Sequence, residues 1–118
     1  MNGNQKGCFA EYKFATRAME NGFNVSMPLL DSSPYDCVLE KNNTFYKIQI
    51  KYFTGENSHT TIRKGIKEKY TEEEVDYFAV WNDKEKGFYI LKNIGQIGYK
   101  LSKDSKYGEN FNNFDLIE

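Results

Sequence analysis

The sequence predicts a mixed α/β fold, an α+β arrangement with a central mixed sheet, and three observations predict it. Lys6 to Asn21 repeats apolar side chains at helical spacing. Thr44 to Phe53 alternates with a period of two, as a strand with two unlike faces does. Val75 to Trp81 is apolar almost throughout, as expected of a strand covered on both sides.

Whole-chain properties narrow the class. At 118 residues the chain suits one domain, residues 1–118, with a modest core. Only two prolines and nine glycines argue against a disordered or fibrous chain. The net charge of −1 gives no global basic signature and argues against a non-specific DNA-coating protein, so any nucleic-acid contact must gather its cations on one face. Cys8 and Cys37 each sit in an apolar run and read as small core residues, with a disulfide between them as the alternative. No apolar run approaches the roughly 18 residues of a membrane span. The polar start, Met1 to Gly7, has no signal-peptide core. A cytoplasmic (intracellular) protein without membrane contact is expected.

In order, the first element is the helix over Lys6 to Asn21. Its apolar stripe is read as Cys8, Tyr12, Ala15, Ala18 and Met19, and Asn21-Gly22 stops it. Glu11 falls inside that stripe, while Lys13, Arg17 and Glu20 lie on the polar side. A carboxylate there must pair or bind a cation. Alternatively it sits at the stripe's edge and reaches water. Phe23 to Pro28 alternates as a first strand, and Leu29 to Pro34 is a loop holding Asp31.

Next comes a hairpin. Asp36 to Glu40 runs out, Lys41-Asn42-Asn43 turns, and Thr44 to Phe53 runs back. On the returning strand Tyr46, Ile48, Ile50 and Tyr52 share one face, and Phe45, Lys47, Gln49 and Lys51 share the other. Pairing through the Asn-Asn turn brings Asp36 level with Gln49 to Lys51. A carboxylate, a neutral oxygen ligand and an ammonium then converge, unless this is merely a solvated strand face.

Thr54 to Lys69 reads as a turn, a short strand at His59 to Ile62, and a basic run with Arg63, Lys64, Lys67 and Lys69. That run either meets phosphates or is a solvated loop. His59, the only histidine, has no partner at zinc-ligand spacing and reads as a turn residue, with a catalytic role as the alternative. Thr71 to Glu74 has capping-box spacing, so a helical turn is expected there. Its acids, with Asp76, read as solvated rather than as a metal site. Val75 to Trp81 and Phe88 to Leu91 are strands joined by a turn at Asn82 to Gly87. Lys92 to Leu101 fits a short amphipathic helix or a connection. The polar tail ends in Phe111, Phe114, Leu116 and Ile117, which are expected to dock it.

Asp36, Gln49 and the carbonyl beside Gln49 offer oxygens suited to a hard divalent cation such as Mg²⁺, which keeps its waters and substrate phosphate oxygens. Glu11 adds a direct or supporting ligand, and Lys51 can orient or deprotonate an attacking water. This chemistry suits metal-assisted phosphodiester hydrolysis.

Pro34-Tyr35-Asp36, twelve intervening residues and then Gln49-Ile50-Lys51 resemble the PD-(D/E)XK nuclease motif, with Gln in place of the usual second acid. Glu11 matches that superfamily's frequent helix-one glutamate. The Gln variant, the Gly7 to Glu11 helix and the Val75 to Val80 strand together resemble group I intron homing endonucleases of this fold, over roughly residues 6 to 95. The resemblance implies a restriction-endonuclease-like core and Mg²⁺-dependent cleavage of double-stranded DNA, with Mn²⁺ as a substitute. It implies Glu11, Asp36, Gln49 and Lys51 as catalytic residues, the first three also as metal ligands. Gln49 carries no charge, which weakens metal affinity and leaves open a silent, DNA- or protein-binding relative. A junction resolvase on the same fold is a further reading. So short a chain reads a long site best as a homodimer or homotetramer.

Overall fold

The computed structural model describes residues 1–118. Helix α1 spans Gly3–Glu20 and begins a turn earlier than expected, because Asn2 and Gln5 form a capping box. The Asn2 side chain accepts the Gln5 N–H at 2.9 Å, and the Gln5 side chain accepts the Asn2 N–H at 2.9 Å. It closes at Asn21, followed by Gly22 at φ +86°, the left-handed turn that a glycine allows.

Strand β1, Asn24–Ser26, is followed by β2, Cys37–Lys41, and β3, Thr44–Phe53. Asn42 and Asn43 join the last two with φ of 54° and 63°, the paired left-handed conformation of a two-residue hairpin that asparagine tolerates. Strand β4, His59–Thr61, precedes β5, Tyr77–Asn82, and β6, Gly87–Lys92, while β7, Gly98–Lys100, follows. The main sheet is ordered β1-β2-β3-β5-β6, with only the β3–β5 pair parallel. Strands β4 and β7 pair antiparallel as a separate ribbon.

The two faces of the main sheet carry different cores. Ala10, Phe14 and Ala18 of α1 pack with Leu39, Ile48, Ile50, Trp81 and Phe88. On the other face Phe53, Phe78, Val80 and Leu91 pack with Ile62, Tyr99 and Leu101 from the ribbon and its flanks. Strand β5 is therefore buried along its whole length, as its apolar sequence anticipates. The flanking is by one helix and one ribbon.

Several expectations are corrected. The helix is rotated from the stripe read in the sequence: Tyr12 is 70% and Met19 57% exposed, and Cys8 is exposed rather than buried. The phase is set by Phe14, whose ring lies 5.4 Å from Phe88 and 5.5 Å from Phe114, both distant in sequence. Cys37 alone is a core thiol, and no disulfide joins the pair. Thr71 and Glu74 do exchange capping-box hydrogen bonds, but they close a turn and not a helix. Lys92 to Leu101 is no helix; its end is β7, recruited by β4. His59 lies on β4, not in a turn. In the tail Phe114 and Ile117 dock as expected, whereas Leu116 stays exposed.

Candidate active site

The site forms where the hairpin stops pairing. The last rung of the β2–β3 ladder joins Cys37 to Ile48. Beyond it Asp36 donates its N–H to the Ile48 carbonyl at 2.8 Å. Its carboxylate Oδ2 accepts the Ile50 N–H at 2.7 Å, doing for β3 what a backbone carbonyl would do one rung further on. The side chain is thereby held in place with Oδ1 still available. Asp76 does the same on the opposite edge of β3, its carboxylate accepting the Lys47 N–H at 2.7 Å. Two aspartates thus anchor β3, but Asp76 lines a different cleft.

Glu11 and Asp36 border one open cleft of about 510 Å³, together with Tyr12, Asp31 and Tyr35. None of the three carboxylates has an ion-pair partner. Burial pushes the Glu11 carboxyl above its ordinary range, and the negative charges of Asp36 and Asp31 push it further. Burial likewise raises Asp36, with the Ile50 N–H opposing. Beside them the buried Cys37 thiol is pushed up to about 12, first by burial and then by the charges of Asp36 and Glu11. This is a pocket of unneutralised negative charge.

Gln49 and Lys51 lie on the sheet face opposite α1, since Ile48 and Ile50, which alternate with them, belong to the helix-side core. Gln49 comes next along β3 after the Cys37–Ile48 rung, level with Asp36, as the hairpin register predicts. Lys51 is half-buried and donates its ammonium to the Thr61 carbonyl of β4. Burial lowers its pKa, so its proton is more easily lost than that of an exposed lysine. It forms no ion pair with Asp36.

The donor chemistry fits a divalent cation held jointly with substrate. No three acidic, cysteine or histidine side chains converge closely enough to hold an ion by themselves. Mg²⁺, however, needs only one or two carboxylates when waters and phosphate oxygens complete its shell. Asp36 and Glu11 offer two such carboxylates at the cleft, while Gln49, level with Asp36 on β3, is not among the residues lining it.

The basic run is dispersed. Arg63 donates to the Ile66 carbonyl at 2.9 Å, and the Lys64 ammonium pairs with Glu74. Lys67 and Lys69 are exposed. Sequence reasoning missed Asp31 and Tyr70. Asp31 reaches the cleft only because the loop before β2 folds back. Tyr70 packs on Phe78 at 5.9 Å and is raised by burial and then by the charge of Asp36. Neither carries a local signal beyond its residue type.

No curated protein matches the chain in sequence. Among solved structures, the bacterial homing endonuclease I-Ssp6803I superposes with a TM-score of 0.83, covering 99% of this chain and 93% of that one at 19% identity. That degree of likeness establishes a shared fold. The PD-(D/E)XK endonuclease family model matches residues 1–110, the helix and all seven strands included, and the chain belongs to that family.

Proposed function

We propose that this nuclease is a Mg²⁺-dependent endodeoxyribonuclease that hydrolyses phosphodiester bonds in double-stranded DNA, in the manner of a homing endonuclease. The observation that carries the reading is the pair of half-buried, unneutralised carboxylates, Glu11 and Asp36, at the point where Asp36 comes level with Gln49. Like charges gathered without a cation disfavour the fold, and a bound divalent ion relieves them.

Asp36 would hold the metal, its carboxylate kept in place by the Ile50 N–H that donates to Oδ2. Gln49 adds a neutral oxygen, and Glu11 supports or joins the ligand set. Bound there, Mg²⁺ or Mn²⁺ would supply the Lewis acidity that phosphodiester hydrolysis needs. Lys51 holds or accepts a proton at Nζ, helped by its burial, and its position is fixed by the Thr61 carbonyl. Lys67 and Lys69 are the members of the basic run left for phosphate contact, since Arg63 and Lys64 are engaged within the chain. A symmetric homodimer or homotetramer supplies two such sites to the two strands. No helix is long and apolar enough to cross a membrane.

Supercoiled plasmid incubated with Mg²⁺ or Mn²⁺, wild type beside Lys51→Ala, tests the reading. Nicking or linearisation by wild type alone is expected. The neutral Gln49 favours a second reading, a silent relative that binds without cutting. Duplex binding with no cleavage of plasmid, of a four-way junction or of a library of target sites in either metal would establish it. Preference for the junction would identify a resolvase.

A further inference from the structure

The ribbon β4–β7 carries a second cleft that the catalytic reading does not use. It is lined by His59, Gln96, Gly98, Lys100, Ser105 and Lys106, with Tyr107 at its floor. In the ribbon Thr60 and Tyr99 face inward and are buried, so their neighbours His59 and Lys100 face outward, directly paired across the strands. Lys106 joins them from the following turn, its ammonium 5.2 Å above the Tyr107 ring.

Two features distinguish this cleft. No carboxylate lines it, in a chain with one more acid than base. Neither Lys100 nor Lys106 has an ion-pair partner, unlike Lys64 of the basic run. The cleft is also tied to the active site. Thr61, which accepts the Lys51 ammonium, lies two residues along β4 from His59, roughly 7 Å at strand rise.

Resting on the nuclease reading, we propose that the outward face of the β4–β7 ribbon binds the phosphate backbone of the DNA duplex, with Lys100 and Lys106 as phosphate contacts and His59 as a hydrogen-bond donor between them. The occupant is chosen by charge: unpaired cations without competing acids suit a polyanion, and duplex DNA presents phosphates continuously past the ribbon. The ribbon then does two things at once. It grips the backbone and positions Lys51 through Thr61.

The test is binding of a short fluorescent duplex of arbitrary sequence in EDTA, over a series of salt concentrations. For Lys100→Gln/Lys106→Gln the slope of log affinity against log salt should fall in magnitude by about two, with weaker binding throughout. The charge-conserving Lys100→Arg/Lys106→Arg should restore both. A charge-matched control, Lys84→Gln/Lys92→Gln, should keep the wild-type slope. If the double variant does not fold, Lys106→Gln alone, which lies outside both sheets, should lower the slope by about one. An unchanged slope in the ribbon variants, or an equal loss in the control, overturns the inference. Because EDTA removes catalysis, a protein that binds duplex but never cleaves overturns only the catalytic reading. One that binds no duplex overturns the ribbon.

Discussion

The acidic cleft beside Asp36 and the basic cleft on the ribbon are both open to solvent, but they gather charge in different ways. Glu11 and Asp36 are half-buried, close enough for like charges to matter, and without a cation between them. Lys100 and Lys106 are exposed, each on its own stem in water. The first arrangement opposes folding, and under the proposed function a bound divalent ion would offset that cost. The second is nearly neutral for stability, since exposed charges in water interact weakly. Changes of charge in the acidic cleft should therefore move chemistry and stability in opposite directions, while changes on the ribbon should move affinity alone.

The largest effect expected is on cleavage. Lys51→Ala should slow it by about 10²–10⁴-fold with duplex binding in EDTA retained, measured as single-turnover plasmid nicking. Loss of binding in step with cleavage would mean that Lys51 holds the DNA and not the proton.

Next comes a pair of variants that splits the two jobs of Asp36. Asp36→Ala leaves the Ile50 N–H without its acceptor, and should cost about 1–3 kcal/mol in denaturant unfolding. Asp36→Asn keeps an acceptor oxygen and removes the charge, so the metal-free protein should melt higher than wild type while cleavage is lost. Equal destabilisation by both variants would sink the contrast between the clefts, because the charge would then be neutral to the fold.

Gln49→Glu sharpens the same point. A third carboxylate should lower the Mg²⁺ concentration for half-maximal cleavage by about tenfold and make the metal-free fold less stable. Titration of cleavage against metal, beside calorimetry without it, reads both halves.

The pH dependence follows with a definite sign. Glu11 and Asp36 are raised above their ordinary values of 4.5 and 3.8 in the folded chain. Between those values and the raised ones the folded state binds more protons than the unfolded state, so their contribution to stability falls as pH rises through that window. Glu40, Glu74 and Asp83 are held below their ordinary values and act the other way. The quantity to measure is therefore the melting difference between wild type and Asp36→Asn, which should widen from about pH 4 toward neutrality and narrow again on adding Mg²⁺. The smallest effect belongs to the ribbon, where Lys100→Gln/Lys106→Gln should change unfolding free energy by less than about 0.5 kcal/mol.

The legible parts of this protein are those written in local spacing. The alternation from Tyr46 to Tyr52 and a turn at Lys41-Asn42-Asn43 brought Asp36 level with Gln49 to Lys51, and the structure, with Lys41 in β2 and the turn at Asn42-Asn43, narrows this to Gln49. A strand's period is two, and a two-residue turn admits one register. Strand β5 was equally plain, because a run with no polar face can only be covered on both sides. Helix α1 was legible as a helix but not in its orientation. Cys8, Tyr12 and Met19 make as good a stripe on paper as Ala10, Phe14 and Ala18. Strand β7 was not legible at all. Three residues have no periodicity to read, and their strand identity comes from β4, some forty positions earlier.

By itself, then, the sequence determined the hairpin, its register, the double-sided strand and the residue types available for phosphodiester chemistry, because each depends on neighbours a few positions apart. Only the tertiary structure decided which side of α1 is buried, and so that Glu11 meets the field of Asp36 and Asp31 at the cleft. It also decided that Lys51 rests on β4, and that His59, Lys100 and Lys106 share one surface. Those outcomes depend on contacts between segments tens of residues apart. Their selection rests on how the two cores fill, a property of packed volumes that no local pattern encodes.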